Sequence, residues 1–261
     1  MSDTVPGVDS RVDNGVLHVT IDRPARMNAV TTETLEALAE AFEKHTGDAS
    51  VRVAILTGSG RAFCTGADLS TIDSVDGPPS PATIDAANRA VAAIRVFPRP
   101  VIGAINGPAA GVGVSLALAC DLTVAKESAY FLLAFTKIGL MPDGGASALV
   151  AASIGRARAL KLALLAERLP AVEAVTAGLI ADSYPDDEFD SAIESLTQRL
   201  ADGPVDALGA TKSAINDATL TELDAAFARE RTGQLTLLAA DDFREGALAF
   251  LAKRPPVYRN R

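Results

Sequence analysis

Two glycine-rich turns in the sequence have the composition needed to hold a negatively charged oxygen. The first is GSGRAFCTGADL at 58–69, and the second lies at 106–113, inside the apolar stretch 101–121. Glycine lets the backbone come close to a ligand, and a helix that begins after such a turn offers unpaired N–H groups. One N–H group from each turn could converge on a single oxygen and form an oxyanion hole. Close strand–helix packing without any ligand is the alternative interpretation of the same glycines.

A further glycine-bearing loop is predicted at 137–150, and its acidic residue is Asp143, within the segment MPDGG at 141–145. A carboxyl group there could transfer a proton. Pro-Asp-Gly is also typical of a turn, and an aspartate could cap a helix that begins at about 144. Other reactive side chains are interpreted as structural: Asp68 and Asp121 as loop and helix-end residues, Cys64 and Cys120 as small core residues.

The apolar stretch 101–121 is predicted to hold a buried strand at 101–105, a tight turn, and an apolar helix from about 112. The stretch carries no charge before Asp121, and its length alone would allow a membrane span. Asn106, Pro108 and four glycines interrupt it, however, and a lipid-exposed helix tolerates that combination poorly. The sequence therefore predicts a buried strand–turn–helix unit without a membrane span.

The elements around these turns follow an early alternation of strands and helices and a late run of helices. Strands are predicted at 16–21, 51–57, 101–105 and 122–125; helices are predicted around 35–42 and 84–94 and then at 170–177, 187–201, 204–217, 221–239 and 242–252. This order predicts an α/β core with a helical C-terminal part. The Pro- and Gly-bearing stretch 70–81 is predicted to be a mobile surface loop.

Composition and charge exclude several classes of protein. The 261 residues carry a net charge of −9, which disfavours nonspecific binding to nucleic acid. Two cysteines and two histidines give neither a disulfide framework nor a zinc site, so no metal is expected. The polar N-terminal residues lack the pattern of a signal peptide, and we therefore expect a cytoplasmic protein.

Several motifs in this order resemble those of the crotonase superfamily, the enoyl-CoA hydratase/isomerase family. They are RAFCTGADL at 61–69, AINGPAAGVGVSLALACDL at 104–122 and GLMPDGG at 139–145, with DRPARMNAV at 22–30 and EGALAFLAKRPP at 245–256. The resemblance implies a spiral of repeated ββα units over residues 1–200. It also implies a helical oligomerisation region at 201–261, and homotrimers that pair as homohexamers.

The resemblance also implies a CoA thioester whose carbonyl oxygen is held by the N–H groups of Ala67 and Val112. Hydratases of the family carry two glutamates, and the matching positions here are Ser115 and Phe135. Hydration needs an acid and a base, and neither residue replaces a glutamate well in these roles. Several isomerases of the family place their single catalytic carboxylate at the position of Asp143, so the resemblance favours a catalytic role for this residue.

The remaining substrate contacts implied by the resemblance are basic residues for the nucleotide of CoA. Arg26 lies in the first loop, and Lys253 matches a C-terminal lysine that reaches CoA in some relatives, often from a neighbouring subunit. Ser115 and Phe135 are expected at the acyl end of the substrate. No cofactor is expected, because CoA is part of the substrate.

The sequence thus favours an isomerase that converts a 3-enoyl-CoA to a 2-enoyl-CoA through an enolate. Two alternatives stay open. One is a hydratase with atypical acid and base residues, which would use Asp143 and Ser115. The other is an acyl-CoA binding protein that keeps the oxyanion hole without catalysis. Retention of Asp143 argues against the second alternative.

Overall fold

Two β-sheets organise the computed structural model, which describes residues 3–5, 7–71 and 79–258. The strands are β1 Asp3–Val5, β2 Val8–Asp13, β3 Val16–Ile21, β4 Val53–Gly58, β5 Val101–Ile105, β6 Ala109–Ala110, β7 Leu122–Lys126, β8 Tyr130–Leu132, β9 Leu169–Pro170 and β10 Asp182–Tyr184. In the described residues, the larger sheet has the order β1-β2-β3-β4-β5-β7-β10 and the smaller one the order β6-β8-β9. The larger sheet is antiparallel from β1 to β3 and parallel from β3 to β10.

Helices cover both faces of the parallel strands. The helices are α1 Thr32–Glu43, α2 Ala82–Val96, α3 Val112–Ala119, α4 Ala146–Leu165, α5 Ala171–Ala177, α6 Phe189–Ala201, α7 Val205–Thr219, α8 Leu223–Leu238 and α9 Asp241–Leu251. The side chain of Thr31 caps α1 by accepting the Thr34 N–H. No described helix combines the length and the apolar character that a bilayer crossing requires.

Side chains of the central strands point alternately to the two faces of the large sheet, and each face carries a hydrophobic layer. On β4, Ala54 and Leu56 join the core beneath α1, α2 and α3, whereas Val53 and Ile55 face the second cluster, which includes Phe189 of α6. Successive side chains of a strand point to opposite faces, so a strand covered on both faces is apolar throughout. This covering explains why β4 and β5 have almost no polar side chains.

A unit of two strands and one helix repeats along the chain. In each unit a strand of the large sheet is followed directly by a strand of the small sheet. β5, β6 and α3 form one unit, and β7, β8 and α4 form the next, with the second strand of each unit in the small sheet. Isolated parallel bridges add Cys64 beside Ala109 and Val30 beside Ala67. The first glycine-rich turn therefore lies beside the second, although 36 residues (70–105) lie between them in sequence.

The C-terminal helices pack back on the same chain. The Nζ of Lys212, on α7, lies 2.8 Å from Oδ2 of Asp121 and donates to the carbonyl oxygens of Ile94 and Arg99 at 3.3 Å. The Val101 N–H also donates to Oδ2 of Asp121 at 2.7 Å, and such further hydrogen bonds offset the cost of removing an ion pair from water. Asp121 therefore has the structural role that the sequence indicated. α8 contacts α2 and α4, and α9 packs on the 3-10 helix at Ala134–Ile138.

The structure confirms the α/β core and the helical C-terminal part and corrects some boundaries. The helix α4 already begins at Ala146, inside the segment 137–150 that the sequence predicted to be a loop. The short strands β8, β9 and β10 were not predicted, because two or three residues carry too little periodicity to be recognised. The predicted mobile loop at 70–81 lies mostly outside the described residues.

Candidate active site

The first turn directs the N–H group of Ala67 away from the bridge that holds it. The Val30 N–H donates to the Gly66 carbonyl oxygen, and the Asp68 N–H donates to the Val30 carbonyl oxygen, both at 2.9 Å. In such a parallel bridge both bonds go to the neighbours of Ala67, so the N–H of Ala67 points to the opposite side. Ala67 is an exposed residue, which is compatible with a backbone donor that faces a ligand site.

Asp68 fixes the first turn. Its Oδ2 accepts from the Arg23 guanidinium at 2.9 Å, and its Oδ1 accepts from the hydroxyl and N–H of Ser70 at 2.6 and 3.1 Å. Burial alone would raise the pKa of Asp68, but the hydrogen bonds from Ser70 and Arg23 outweigh it and hold the pKa below the usual range. The carboxylate is thus ionised, and both of its oxygens accept hydrogen bonds that fix the loop. This agrees with the structural interpretation of Asp68.

The second turn ends at Gly111 and places Val112 at the start of α3. Gly111 precedes it with φ 55° and ψ −130°, a conformation that glycine adopts most easily. The Gly111 N–H donates to the Leu132 carbonyl oxygen of β8 at 2.9 Å. Val112 is the first residue of the helix, so its N–H has no acceptor within the helix. The positive end of the α3 dipole lies at the same place, where it favours a negative charge.

The two turns are in contact. A β-carbon built on Gly111 would lie 3.3 Å from the Cα of Gly66, and one built on Gly113 would overlap the carbonyl oxygen of Cys64. Two backbones can approach this closely only where no side chain separates them. Ala67 and Val112 each follow one of the touching glycines, so their N–H groups lie on neighbouring segments.

The MPDGG loop is tied to the same helix end. The Ser115 hydroxyl, on α3, donates to the backbone carbonyl oxygen of Asp143 at 2.8 Å. A β-carbon on Gly144 would lie 3.3 Å from Cγ2 of Val112 and 3.0 Å from Cβ of Ser115. These contacts place Asp143 beside the N-terminus of α3. Ala67, Val112 and Asp143 thus lie on three segments that meet at one place.

The carboxyl group of Asp143 is held by α8. Nε2 of Gln234 donates to its Oδ2 at 2.8 Å. Part of the Asp143 residue is exposed, whereas its carboxyl group is closely surrounded by protein. Desolvation, opposed by the hydrogen bond from Gln234 and assisted by the negative charge of Glu230, raises the pKa of Asp143 to about 7. A carboxyl group that titrates near neutral pH can both accept and donate a proton under physiological conditions.

The helix cap that the sequence allowed for Asp143 is supplied by another residue. The cap position of α4 is Gly145, and no side chain of the capping residue bonds to the helix. Glu230 of α8 instead accepts the N–H groups of Gly145 at 2.6 Å and Ser147 at 2.8 Å. The interpretation of Asp143 as the cap of α4 is therefore wrong, because its carboxyl group bonds to Gln234 instead.

Ser115 and Phe135 also lie at this place. Ser115 is fully buried, and its hydroxyl group is used in the bond to Asp143. Phe135 lies on the 3-10 helix at Ala134–Ile138, and its Cζ would be 3.9 Å from a β-carbon on Gly111. Phe135 therefore lines the second turn with an apolar ring, and Ser115 holds the loop that carries Asp143.

Arg26 and Lys253 are both exposed. Arg26 ends a 3-10 helix at Pro24–Arg26, next to Met27, whose carbonyl oxygen accepts the Thr65 hydroxyl of the first turn at 3.0 Å. Arg26 is thus near the turn that carries Ala67. Lys253 lies in the turn after α9 with φ 52°. None of the contacts among the described residues joins Lys253 to the two turns.

The sequence pattern did not indicate that Gln234 and Glu230 belong to the site. Both are buried, with exposed fractions of 1% and 0%. They lie four residues apart on α8, and residues at this spacing share one face of a helix. The available signal for their role was that both are polar residues on the face of α8 that is otherwise apolar. The sequence could not show which residue they would bond.

Comparisons with known proteins agree with this fold. The family model described as enoyl-CoA hydratase/isomerase matches residues 11–261. A probable enoyl-CoA hydratase of Rhodobacter capsulatus is 40% identical over 255 residues, which are 96% of each chain. The 1,2-epoxyphenylacetyl-CoA isomerase of Escherichia coli is 39% identical over 253 residues, 95% of this chain and 97% of that protein. A crystal structure of an enoyl-CoA hydratase from Mycobacterium avium subsp. paratuberculosis is 49% identical with a TM-score of 0.92, covering 98% of this chain and 100% of that chain.

The fold and the site define an acyl-CoA enzyme of the crotonase superfamily. The chain belongs to the enoyl-CoA hydratase/isomerase family. The resemblance seen in the motifs is therefore confirmed over nearly the whole chain. Its relatives include proteins named as hydratases and proteins named as isomerases.

The raised pKa of Asp143 gives a prediction about stability. Its folded-state pKa of about 7 lies above the ordinary 3.8. The folded chain therefore keeps a proton that the unfolded chain releases, and this contribution to stability is lost as pH rises from about 4 to about 7. Relative to the wild type, Asp143→Asn should gain stability over this window, by roughly 1–4 kcal/mol above pH 7 at about 1.4 kcal/mol for each pKa unit.

Chemical denaturation at pH 5 and pH 8 measures this effect. The gain from Asp143→Asn should be larger at pH 8 than at pH 5. The matched control is Asp217→Asn, at an exposed position of α7, for which we expect the same stability as the wild type at both pH values. Equal gains for Asp143→Asn at both pH values would show that the carboxyl group is not desolvated in the folded chain.

Proposed function

We propose that this enzyme is an isomerase that shifts the double bond of a 3-enoyl-CoA to give a 2-enoyl-CoA. The observation that carries the proposal is a carboxyl group of near-neutral pKa, Asp143, beside two turns in which the N–H groups of Ala67 and Val112 donate to no acceptor among the backbone hydrogen bonds of the described residues. This set of groups suits a proton transfer between two carbons next to a thioester.

In the proposed reaction the Asp143 carboxylate removes a proton from C2 of the substrate. The electron pair of the broken C–H bond moves toward the thioester carbonyl, which gives a conjugated enolate. The N–H groups of Ala67 and Val112 hold the enolate oxygen, assisted by the dipole of α3. Protonated Asp143 then returns the proton to C4, and the double bond ends between C2 and C3. No electrons or atoms are gained or lost, so the reaction requires no cofactor besides the CoA of its substrate.

Hydration is less well supported by the residues at the site. Water addition needs a base for the water and an acid for the α-carbon. By the family resemblance Ser115 and Phe135 stand where hydratases carry glutamates. The Ser115 hydroxyl already donates to the Asp143 carbonyl oxygen, and Glu230 is engaged by the N–H groups of Gly145 and Ser147. A hydratase mechanism would therefore depend on Asp143 alone.

A binding protein without catalysis is the second candidate. It would need the oxyanion-binding turns but not an acidic group of near-neutral pKa. Burying a carboxyl group is unfavourable unless its environment compensates for the lost water. The desolvated position of Asp143 thus argues for a chemical role and against simple binding.

The nucleotide part of the substrate is proposed to contact Arg26 and Lys253. Phosphate groups need positive partners, and the net charge of the chain is −9. Arg26 is exposed beside the turn of Ala67. Lys253 is exposed at the C-terminal end, which suits a contact made by a neighbouring subunit.

The assembly is proposed to be a homotrimer or homohexamer, with residues 201–261 as the oligomerisation region next to the 1–200 core. Large apolar side chains are exposed on two helices: Leu160, Leu164 and Leu165 on α4, and Leu248, Phe250 and Leu251 on α9. Exposed apolar patches commonly mark interfaces between proteins. Three of these side chains lie on α4, so we extend the proposed contact region to residues before 200.

Asp143→Asn tests the proposed reaction. Asparagine keeps the size of the side chain and can still accept from Gln234, but it cannot carry the proton. We expect isomerisation of 3-enoyl-CoA, followed by the absorbance of the conjugated product, to fall by a factor of roughly 100 or more. Affinity for the acyl-CoA, measured by calorimetry, should be nearly retained.

The control for this test is a screen of the wild type with 2-enoyl-CoA and 3-enoyl-CoA substrates of several lengths. Hydration should be weak or absent. A hydration rate on the order of 10–1000 per second would favour the hydratase instead. Binding without turnover of either substrate would favour the binding protein.

Arg26→Ala and Lys253→Ala should weaken binding of a CoA ester, and more at low salt than at high salt. Exposed charge–phosphate attractions are screened as ionic strength rises. Calorimetry at two salt concentrations measures the effect, with Arg199→Ala on α6, an exposed arginine outside the site, as the matched control. Affinities equal to that of the control would remove both residues from the nucleotide site.

Phe250→Asp should weaken the assembly, because it places a charge in the apolar patch of α9. Analytical ultracentrifugation of the wild type at micromolar concentration should give a trimer or hexamer, and the variant should give smaller species. A monomeric wild type would contradict the proposed assembly.

A further inference from the structure

Two buried polar residues of α8, Glu230 and Gln234, face the segment that carries Asp143. Glu230 holds the N–H groups at the start of α4, and Gln234 bonds to the Asp143 carboxyl group. A C-terminal helix therefore reaches directly into the site. Neither residue has a part in the reaction as proposed above.

We propose that Gln234 is a positioning residue, which holds Oδ2 of Asp143 by a hydrogen bond and leaves Oδ1 as the oxygen that takes the substrate proton and returns it. This inference rests on the proposed isomerase function. It assigns the reaction to one oxygen of the carboxyl group and names the residue that selects it.

The orientation of the Gln234 amide follows from its two partners. Oε1 accepts the Met141 N–H at 3.1 Å, and Nε2 donates to Oδ2 of Asp143 at 2.8 Å. A flipped amide would set its NH₂ group against the Met141 N–H, two donors facing each other. Met141 lies two residues before Asp143, so the same loop fixes the amide and receives its hydrogen bond.

The fixed donor decides where the proton of Asp143 resides. A proton on Oδ2 would face the Nε2–H donor of Gln234, whereas a proton on Oδ1 leaves that hydrogen bond intact. Among the described residues, the hydrogen bond from Gln234 is the one that this carboxyl group accepts. Oδ1 therefore takes up and releases the proton, and the carboxyl group does not need to rotate between the two steps.

The charged groups around Asp143 are few. The charge of Glu230 on α8 raises the pKa of Asp143. Burial raises the pKa of Glu230 itself, against the hydrogen bonds from Ser147 and Gly145 and the charge of Arg229, which lower it. α3 carries no ionisable side chain, and α4 carries none before Arg156. The N-terminus of α4 contributes a positive dipole. Gln234 is thus the uncharged partner whose removal changes the titration of Asp143 without changing the net charge.

Gln234→Met tests the inference, because methionine keeps the length of the side chain but neither donates to Asp143 nor accepts strongly from Met141. The active form of the free enzyme has an ionised Asp143, so kcat/KM should rise with pH to a plateau, with a midpoint near 7. Loss of the donor favours the protonated form, and the midpoint should move up by about one pH unit or more. The control is Gln198→Met on α6, which removes the 2.8 Å bond from Gln198 to Asp202 at an exposed position and should leave the profile unchanged.

Infrared difference spectra between the wild type and Asp143→Asn, recorded across pH, report the same group without turnover. Protonated on Oδ1, the carboxyl group has a C=O bond at Oδ2 that accepts from Gln234. Gln234→Met should therefore raise both the pKa of Asp143 and the frequency of its C=O stretch. An unchanged stretch would place the proton on Oδ2 and overturn the assignment.

Gln234→Glu supplies a second variant in case Gln234→Met does not fold. A protonated glutamate can donate to Oδ2 and accept from Met141, whereas its ionised form cannot donate. Activity should therefore be retained at intermediate pH and lost at higher pH, so that the profile becomes bell-shaped. If Gln234 had only a structural role, both variants would lose activity and melting temperature, but the pH dependence of kcat/KM would not change. This result would overturn the inference.

The two proposals fail in different ways. Absence of isomerase activity in the wild type would overturn the proposed function, while a shifted Asp143 titration in Gln234→Met would still support positioning by Gln234. Isomerase activity with an unshifted titration and profile would overturn the role of Gln234 alone.

Discussion

Close contact between two backbone turns is the constraint on which the site depends. The turn that carries Ala67 lies against the start of α3 so tightly that Gly113 has no room for a side chain beside Cys64. Backbone N–H groups can face one oxygen only if their segments approach this closely, and only if the strands that precede them end at the same level. The parallel pairing of β4 with β5 supplies that alignment.

The second requirement is a carboxyl group that is buried but still usable. Desolvation raises the free energy of the ionised form of Asp143, and the hydrogen bond from Gln234 offsets part of this cost. Burial without that hydrogen bond would keep the group protonated, and full exposure would keep it ionised. The pKa of Asp143 therefore lies near neutral pH. Gln234 of the C-terminal helix α8 is the group that lowers this pKa.

The glycine-rich pattern of the sequence predicted two turns that could hold an oxyanion, and the resemblance to the family assigned Ala67, Val112 and Asp143 to the site. The sequence also predicted β5 at 101–105 and α3 from 112 correctly. It assigned a possible helix cap to Asp143, and the structure gives that task to Glu230 instead. The cap was wrong because turn statistics describe local bonds, whereas the partner comes from a helix more than 80 residues away.

The sequence by itself determined the family, the order of the elements and the residue types at the turns, since these depend on local pattern and on motifs that stand in a fixed order. Tertiary structure alone decided that the three loops meet, that Ser115 ties the Asp143 loop to α3, and that Gln234 bonds to the carboxyl group. The physical reason is that such contacts depend on how helices and strands pack across long separations in sequence. The same packing sets the desolvation of Asp143, and therefore its pKa.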